Sequence, residues 1–201
     1  MKLYVFPLSP NSRKCMVMNR LLGLDVPEIT IDLMTGEQKA PAILALNPNG
    51  KMPLLEYDDG TSLWESNAIT NRLAAERDTT LWPKSNARYD IMRWQFWESC
   101  HLTPAASKFI ARHFFGNEAI DLDAAAEEFA PLAKVLDGHL AGRDWLSGDA
   151  MTTADISVSA ILCYRDACQM PLDGYANIQA WLARVEATPA WKEVNLEPQP
   201  A

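Results

Sequence analysis

NPNGKMPLLEYDDGTSLWES, residues 47–66, holds a turn, a hairpin and the start of a helix in one short run. Asn47-Pro48-Asn49-Gly50 has the composition of a tight turn, and residues 53–57 read as an apolar strand. Asp58-Asp59-Gly60 is a second turn, after which residues 61–64 return as the antiparallel partner. A helix is expected from Glu65 onward, with Ala68, Ile69, Leu73 and Ala74 able to pack on the sheet. Pro53 cannot donate to a ladder, and a cis bond before it would turn the Met52 backbone outward. An extended peptide docks on such a backbone as an added strand, whatever its side chains. An ordinary edge-strand proline gives the same string.

Working outward, residues 2–6 form an apolar strand, and a helical pattern follows the loop of residues 7–11, with Val17, Leu21 and Leu22 on one face. Gly23 ends it, residues 28–31 read as a second strand, and residues 40–46 as a short helix. The order β-α-β-α-β-β-α makes a small mixed sheet whose first two strands run parallel, because a helix supplies their crossover. Everything beyond the break at residues 79–85 is helical in period. Within residues 121–140, Leu122, Ala125, Ala126, Phe129, Leu132, Ala133, Leu136 and Leu140 repeat at three and four, as one buried stripe requires. Residues 154–164 are apolar almost all round, the pattern of a helix covered on every side. Thr152-Thr153-Ala154-Asp155 ahead of that helix is a capping box with Asp in the usual place of Glu or Gln. The expected organisation is an α/β domain over residues 1–78, a linker over 79–85 and an all-helical domain over 86–201.

The chain has 201 residues, 48% of them hydrophobic and 22% charged, which suits globular folding. Its formal net charge is −8 and neither half is basic, so a nucleic-acid backbone is not an expected partner. No run approaches the roughly 18 apolar residues of a membrane span, and the opening stretch is too short for a signal-peptide core. A soluble, cytoplasmic protein with no membrane partner is the expectation. Cys15, Cys100, Cys163 and Cys168 have no metal-ligand spacing, and His101, His113 and His139 are scattered, so no metal is expected.

Two places suit a ligand. At Glu65-Ser66 a helix begins, where free N–H groups and the positive end of the dipole attract a carboxylate while Glu65 takes an ammonium group. Helix capping alone also explains Ser66. In the first loop, Ser12 is the natural helix cap, which leaves Ser9 and Asn11 for a ligand; a thiol there would lose its proton more readily.

Taken in order, these segments resemble the glutathione transferase superfamily over essentially the whole chain. NPNGKMPLLE followed by WESNAI is similar to that family's cis-proline turn, hairpin and helix start, and GRDWLSGDAMTTADIS to its C-terminal capping box. The resemblance implies a thioredoxin-like first domain, a helical bundle as the second, and glutathione as co-substrate. Ser9 matches the activating serine of theta, phi and zeta-like members. It also implies that Met52 pairs with the cysteinyl backbone and that Pro53 is cis. Glu65 and Ser66 would hold the γ-glutamyl end, and Gln38 and Lys51 match positions that reach the glycine carboxylate. Ser9-Pro10-Asn11 is also similar to the Thr-Pro-Asn of nu-like bacterial members, in which the asparagine contributes and disulfide reduction is favoured. Tyr4 lies on the first strand, outside the active loop, and Cys15 lies inside the helix. The implied reaction is conjugation of the glutathione thiolate to a small hydrophobic electrophile, with Leu8, Trp97 and His101 as candidate pocket walls. Glutathione-dependent disulfide reduction and a non-catalytic interaction module are the alternatives. A homodimer is implied by the resemblance alone.

Overall fold

The computed structural model describes residues 1–195, which divide into two compact units. The first comprises Met1–Trp82 together with the last helix, Pro189–Asn195; the second is Pro83–Thr188.

Four strands make the sheet of the first unit: β1 (Lys2–Val5), β2 (Glu28–Thr30), β3 (Leu54–Glu56) and β4 (Ser62–Trp64), in the order β2-β1-β3-β4. β1 runs parallel to β2 and antiparallel to β3, and β3 to β4. Register places Leu3 opposite Leu55 and Tyr4 opposite Leu54, so alternate residues feed opposite faces. On one face Leu54 packs with Ile31, Ile43 and Met52, flanked by Tyr4, Phe6 and Ile29. Leu3, Val5 and Leu55, all fully buried, serve the other face. There α1 (Pro10–Leu21) contacts β1, and α3 (Ser66–Ala74) contacts β3 and α1. A 3₁₀ turn at Glu37–Lys39 and α2 (Pro41–Leu46) link β2 to β3.

The Tyr4 hydroxyl donates to Glu56 Oε2 at 2.7 Å, and Lys2 Nζ lies 3.5 Å from the same oxygen. That hydrogen bond raises the Tyr4 pKa to about 12, with burial and the Glu56 charge adding to it. Because the folded value lies above the ordinary value of about 10, the contribution to stability is complete below pH 10 and lost as pH rises toward 12. In an alkaline absorbance titration, one of the five tyrosines is expected to ionise near pH 12, and this step should vanish in Tyr4→Phe. A Tyr4 step near pH 10 would refute the assignment.

The second unit contains α4 (Ala87–Trp97), a π-helical turn at Glu98–Leu102, α5 (Thr103–His113), α6 (Leu122–Leu140), α7 (Thr153–Leu162) and α8 (Ala176–Glu186). Every residue of α7 is buried, as its unbroken apolar pattern predicts, and it packs against α4, α5 and α8. The buried stripe of α6 is Ala125, Phe129, Ala133, Leu136 and Leu140, while Leu122, Ala126 and Leu132 border it half-buried. The capping box is present in full. Asp155 accepts from the Thr152 N–H and hydroxyl through Oδ2, and from the Leu146 N–H and Trp181 Nε1 through Oδ1.

The final helix, α9 (Pro189–Asn195), departs from the expected organisation, which assigned residues 86–201 to the helical domain. It packs on α1, where Arg13 Nη1 donates to Asn195 Oδ1 at 2.9 Å and Arg20 pairs with Glu193 at 2.8 Å. With α3 and α9 both against it, α1 buries an unbroken run from Ser12 to Asn19 that includes Arg13 and Lys14. Leu21 and Leu22, expected on the buried face, are only half-buried near the helix end.

Candidate functional site

Pro10 opens α1 at a position where its missing N–H costs nothing, which makes Ser9 rather than Ser12 the residue at the cap position. Ser12 instead accepts the Phe6 N–H at 3.0 Å through Oγ, tying the loop between β1 and α1. Ser9 makes no capping bond through its side chain, and its backbone closes the turn through Ser9 N–H to Phe6 C=O. Arg13 Nε donates to Pro7 C=O at 2.7 Å and holds the loop from the other side.

The Met52–Pro53 bond is cis, and the ladders of β3 begin at Leu54, so the Met52 backbone lies just outside them. Asn47 organises the turn before it: Nδ2 donates to Lys51 C=O at 2.7 Å, and Oδ1 accepts from Asn49 N–H at 3.1 Å. Gly50 has φ +57, and a Cβ there would meet Lys39 Nζ at 2.8 Å and the Gln38 carbonyl at 3.2 Å, so only glycine fits. Glu65 carries φ 73 at the junction of β4 and α3. A non-glycine residue in that region costs roughly 1–3 kcal/mol, a strain that clusters at ligand sites.

These loops enclose a cavity of about 150 Å³ within the first unit, lined by Asn11, Asn47, Asn49, Lys51, Met52, Pro53, Trp64, Glu65 and Ser66. Behind its wall runs a chain of hydrogen bonds. Lys14 Nζ donates to Ser66 Oγ at 3.4 Å, Ser66 Oγ donates to Asn11 Oδ1 at 3.2 Å, and the Cys15 thiol donates to Ser66 C=O at 3.7 Å. Cys15 sits inside α1, fully buried, and burial pushes its thiol far up, so it stays protonated. Of the residues singled out in sequence, Asn11, Lys51, Met52, Pro53, Glu65 and Ser66 are brought together here. Ser9 and Gln38 are not on the wall. Gln38 Nε2 donates to Leu33 C=O at 3.4 Å, and its Oε1 is buried with no partner among the described residues.

Leu8 belongs to the first unit, half-buried, whereas Trp97 and His101 belong to the second. Trp97 stacks edge-on against Trp94 with ring centroids 5.2 Å apart, and His101 is exposed on the π-helical turn. Sequence reasoning missed Asn47, Asn49 and Trp64 on the cavity wall and Lys39 beside Gly50. The Asx geometry of Asn47 was available in the NPNG string; the place of Trp64 on the cavity wall was not.

Residues 3–80 match the family model of the glutathione S-transferase N-terminal domain, and residues 98–189 that of its C-terminal domain. Glutathione S-transferase 3 of Zea mays is 33% identical over 218 aligned residues that cover 100% of this chain and 97% of that protein. The chain belongs to the glutathione S-transferase family. Within that family, the crystal structure of a possible glutathione S-transferase from Rhodopseudomonas palustris superposes with a TM-score of 0.89, at 30% identity and 98% coverage of both chains. A glutathione transferase from Pseudomonas putida, crystallised with one glutathione disulfide bound per subunit, superposes at 0.85 with 27% identity, covering 98% of this chain and 91% of that one. Both glutathione S-transferase domains thus fall on the two units seen here, the sheet on the first and the helices on the second.

Proposed function

We propose that this family member binds glutathione in the cavity of the first unit and conjugates its thiolate to a small hydrophobic electrophile. The observation that carries this reading is the gathering of Asn11, Lys51, Met52, Pro53, Glu65 and Ser66 around one polar cavity. Each part of a γ-glutamyl tripeptide has a matching group. Glu65 suits the ammonium group, and Ser66 with the first N–H groups of α3 suits the adjacent carboxylate. The Met52 backbone, outside the ladder, suits the cysteinyl amide as an added strand. Lys51, with the Lys39 ammonium against Gly50, suits the glycine carboxylate in the place first given to Gln38.

Glutathione supplies the nucleophile. The protein's part is to hold the thiol where a donor favours its ionised form, and the helix N-terminus at Pro10 together with the Asn11 amide supplies that field. Asn11 Oδ1 is engaged by Ser66, so its Nδ2 is the donor left to the cavity. The Ser9 hydroxyl is the second candidate donor, without a hydrogen bond of its own among the described residues. Leu8, half-buried in the first unit, is the candidate there for contact with the electrophile.

Calorimetric titration is expected to show glutathione binding with submillimolar to millimolar affinity, with thiolate absorbance appearing about 1–2 pH units below the free thiol's pKa of about 8.5. No heat at millimolar glutathione would instead support a non-catalytic interaction module. Reduction of disulfides by two glutathiones is the second reading, favoured by Asn11 on the wall and by the glutathione disulfide held in the Pseudomonas putida relative. Turnover of hydroxyethyl disulfide above that of chlorodinitrobenzene would select it.

A further inference from the structure

We infer that Lys14 is a positioning residue for the thiol site, acting through Ser66 and Asn11; the inference rests on the glutathione reading above. Lys14 lies on α1, one residue from Arg13 and three from Asn11, and is only 1% exposed. A lysine is almost never fully buried unless its ammonium is held, and desolvating it is costly. Its Nζ reaches Ser66 Oγ, at the first residue of α3 and on the cavity wall.

The direction of the hydrogen bonds follows from donor chemistry. An ammonium group donates and never accepts, so Ser66 Oγ accepts its hydrogen bond and must direct its own O–H elsewhere. The neighbour is the Asn11 side chain at 3.2 Å, which therefore turns Oδ1 toward Ser66. The amide NH₂ is then the part of Asn11 that faces the ligand. Without Lys14, Ser66 can accept from Asn11 Nδ2 just as well, and the amide is free to flip and present its carbonyl, which repels a thiolate. A charged first donor also polarises each later bond of the chain. Lys14 thus fixes the donor at the thiol without touching it. The other titratable groups nearby are Cys15 beside it on α1, Glu28 of β2, which acts on Cys15 through space, and Lys51 and Glu65 on the cavity wall.

The test measures the pKa of the bound glutathione thiol by its ultraviolet absorbance in wild type, Lys14→Met, Lys14→Arg, Ser66→Ala and the Lys14→Met/Ser66→Ala double variant. Lys14→Met is expected to raise that pKa by about 1 and lower kcat/KM about tenfold, with Lys14→Arg close to wild type. The double variant should be no worse than Ser66→Ala alone, since both changes cut the same chain. A folded Lys14→Met with the wild-type thiol pKa, or effects of the two changes that add, would overturn the inference. Should Lys14→Met fail to fold, Lys14→Arg and Ser66→Ala decide together: a wild-type thiol pKa in the first with a raised one in the second supports the inference, and a rise in Lys14→Arg or a wild-type value in Ser66→Ala refutes it. A wild-type protein that leaves the bound thiol at its free value refutes the glutathione reading instead, which is a different result from any of these.

Discussion

Asp155→Ala is expected to destabilise the protein by about 3–5 kcal/mol, the largest loss of stability among single changes considered for the helical unit. The carboxylate is fully buried and receives four donors from three places in the chain: the Thr152 N–H and hydroxyl, the Leu146 N–H and the Trp181 indole N–H. Alanine would strand those donors away from water, each costing about 1–3 kcal/mol before relaxation. It would also remove the cap of α7, whose ten residues are all buried, and unfasten the loop at Leu146 and α8 at Trp181 from it. At roughly 2–4 °C per kcal/mol for a chain of this size, the melting temperature should fall by on the order of 10 °C. Asp155→Asn separates charge from geometry. Its Oδ1 keeps the bonds from Leu146 and Trp181, while its NH₂ meets the Thr152 N–H head-on, so the loss should be about half that of alanine. Thermal melts of the three proteins check this, and an alanine variant within 1 kcal/mol of wild type would refute it.

The same residue shows what a sequence discloses and what it withholds. Thr152-Thr153-Ala154-Asp155 disclosed a capping box because its partners lie three residues apart, within the reach of local pattern. Leu146 and Trp181 lie outside that reach, since no period or spacing links a loop, a cap and a later helix. The sheet was legible for a related reason. Alternation in β1 and the turn residues of 47–50 and 58–60 are local, and the crossover rule then fixes parallel pairing of β1 with β2. α7 was legible as a helix covered on all sides, though not which helices cover it.

The assignment of residues 86–201 to one helical domain failed at its last element, because α9 belongs with α1 in the first unit. A helix of seven residues at the end of a chain carries no signal of the unit it will join. The placement of Ser12 as the cap failed for a more local reason. Pro10 starts the helix earlier, and the Phe6 N–H, in need of an acceptor, captures the Ser12 hydroxyl. At the candidate site, the string around Pro53 pointed to residues that line one cavity, but whether Ser9 or Asn11 joins them there depends on the turn of the first helical residues. That turn is a matter of packing against α3.

Asn11→Ala is expected to cost about 10²-fold in kcat/KM with glutathione, and Ser9→Ala about tenfold or less. One preorganised donor aimed at developing or resting negative charge is worth roughly 10²–10³-fold in other enzymes. Asn11 meets the geometric condition: it lines the cavity, and Ser66 holds its Oδ1 at 3.2 Å so that the amide cannot turn freely. Ser9 sits at the cap of α1 outside the cavity wall, with a hydroxyl that nothing holds among the described residues. A donor that must be ordered as it acts gives back part of its interaction as lost rotamer freedom, so its contribution is smaller. Both variants should still bind glutathione, because Glu65, Ser66, Lys51 and the Met52 backbone remain. The bound thiol's pKa should rise more in Asn11→Ala than in Ser9→Ala, and this rise should account for the loss of kcat/KM near neutral pH. At a pH above the raised pKa the thiolate forms without help, so much of the activity of Asn11→Ala should return. The reverse ranking, with Ser9→Ala the more damaged and Asn11→Ala near wild type, would transfer the thiol to the hydroxyl. It would also leave the hydrogen-bond chain from Lys14 through Ser66 with a purely structural role.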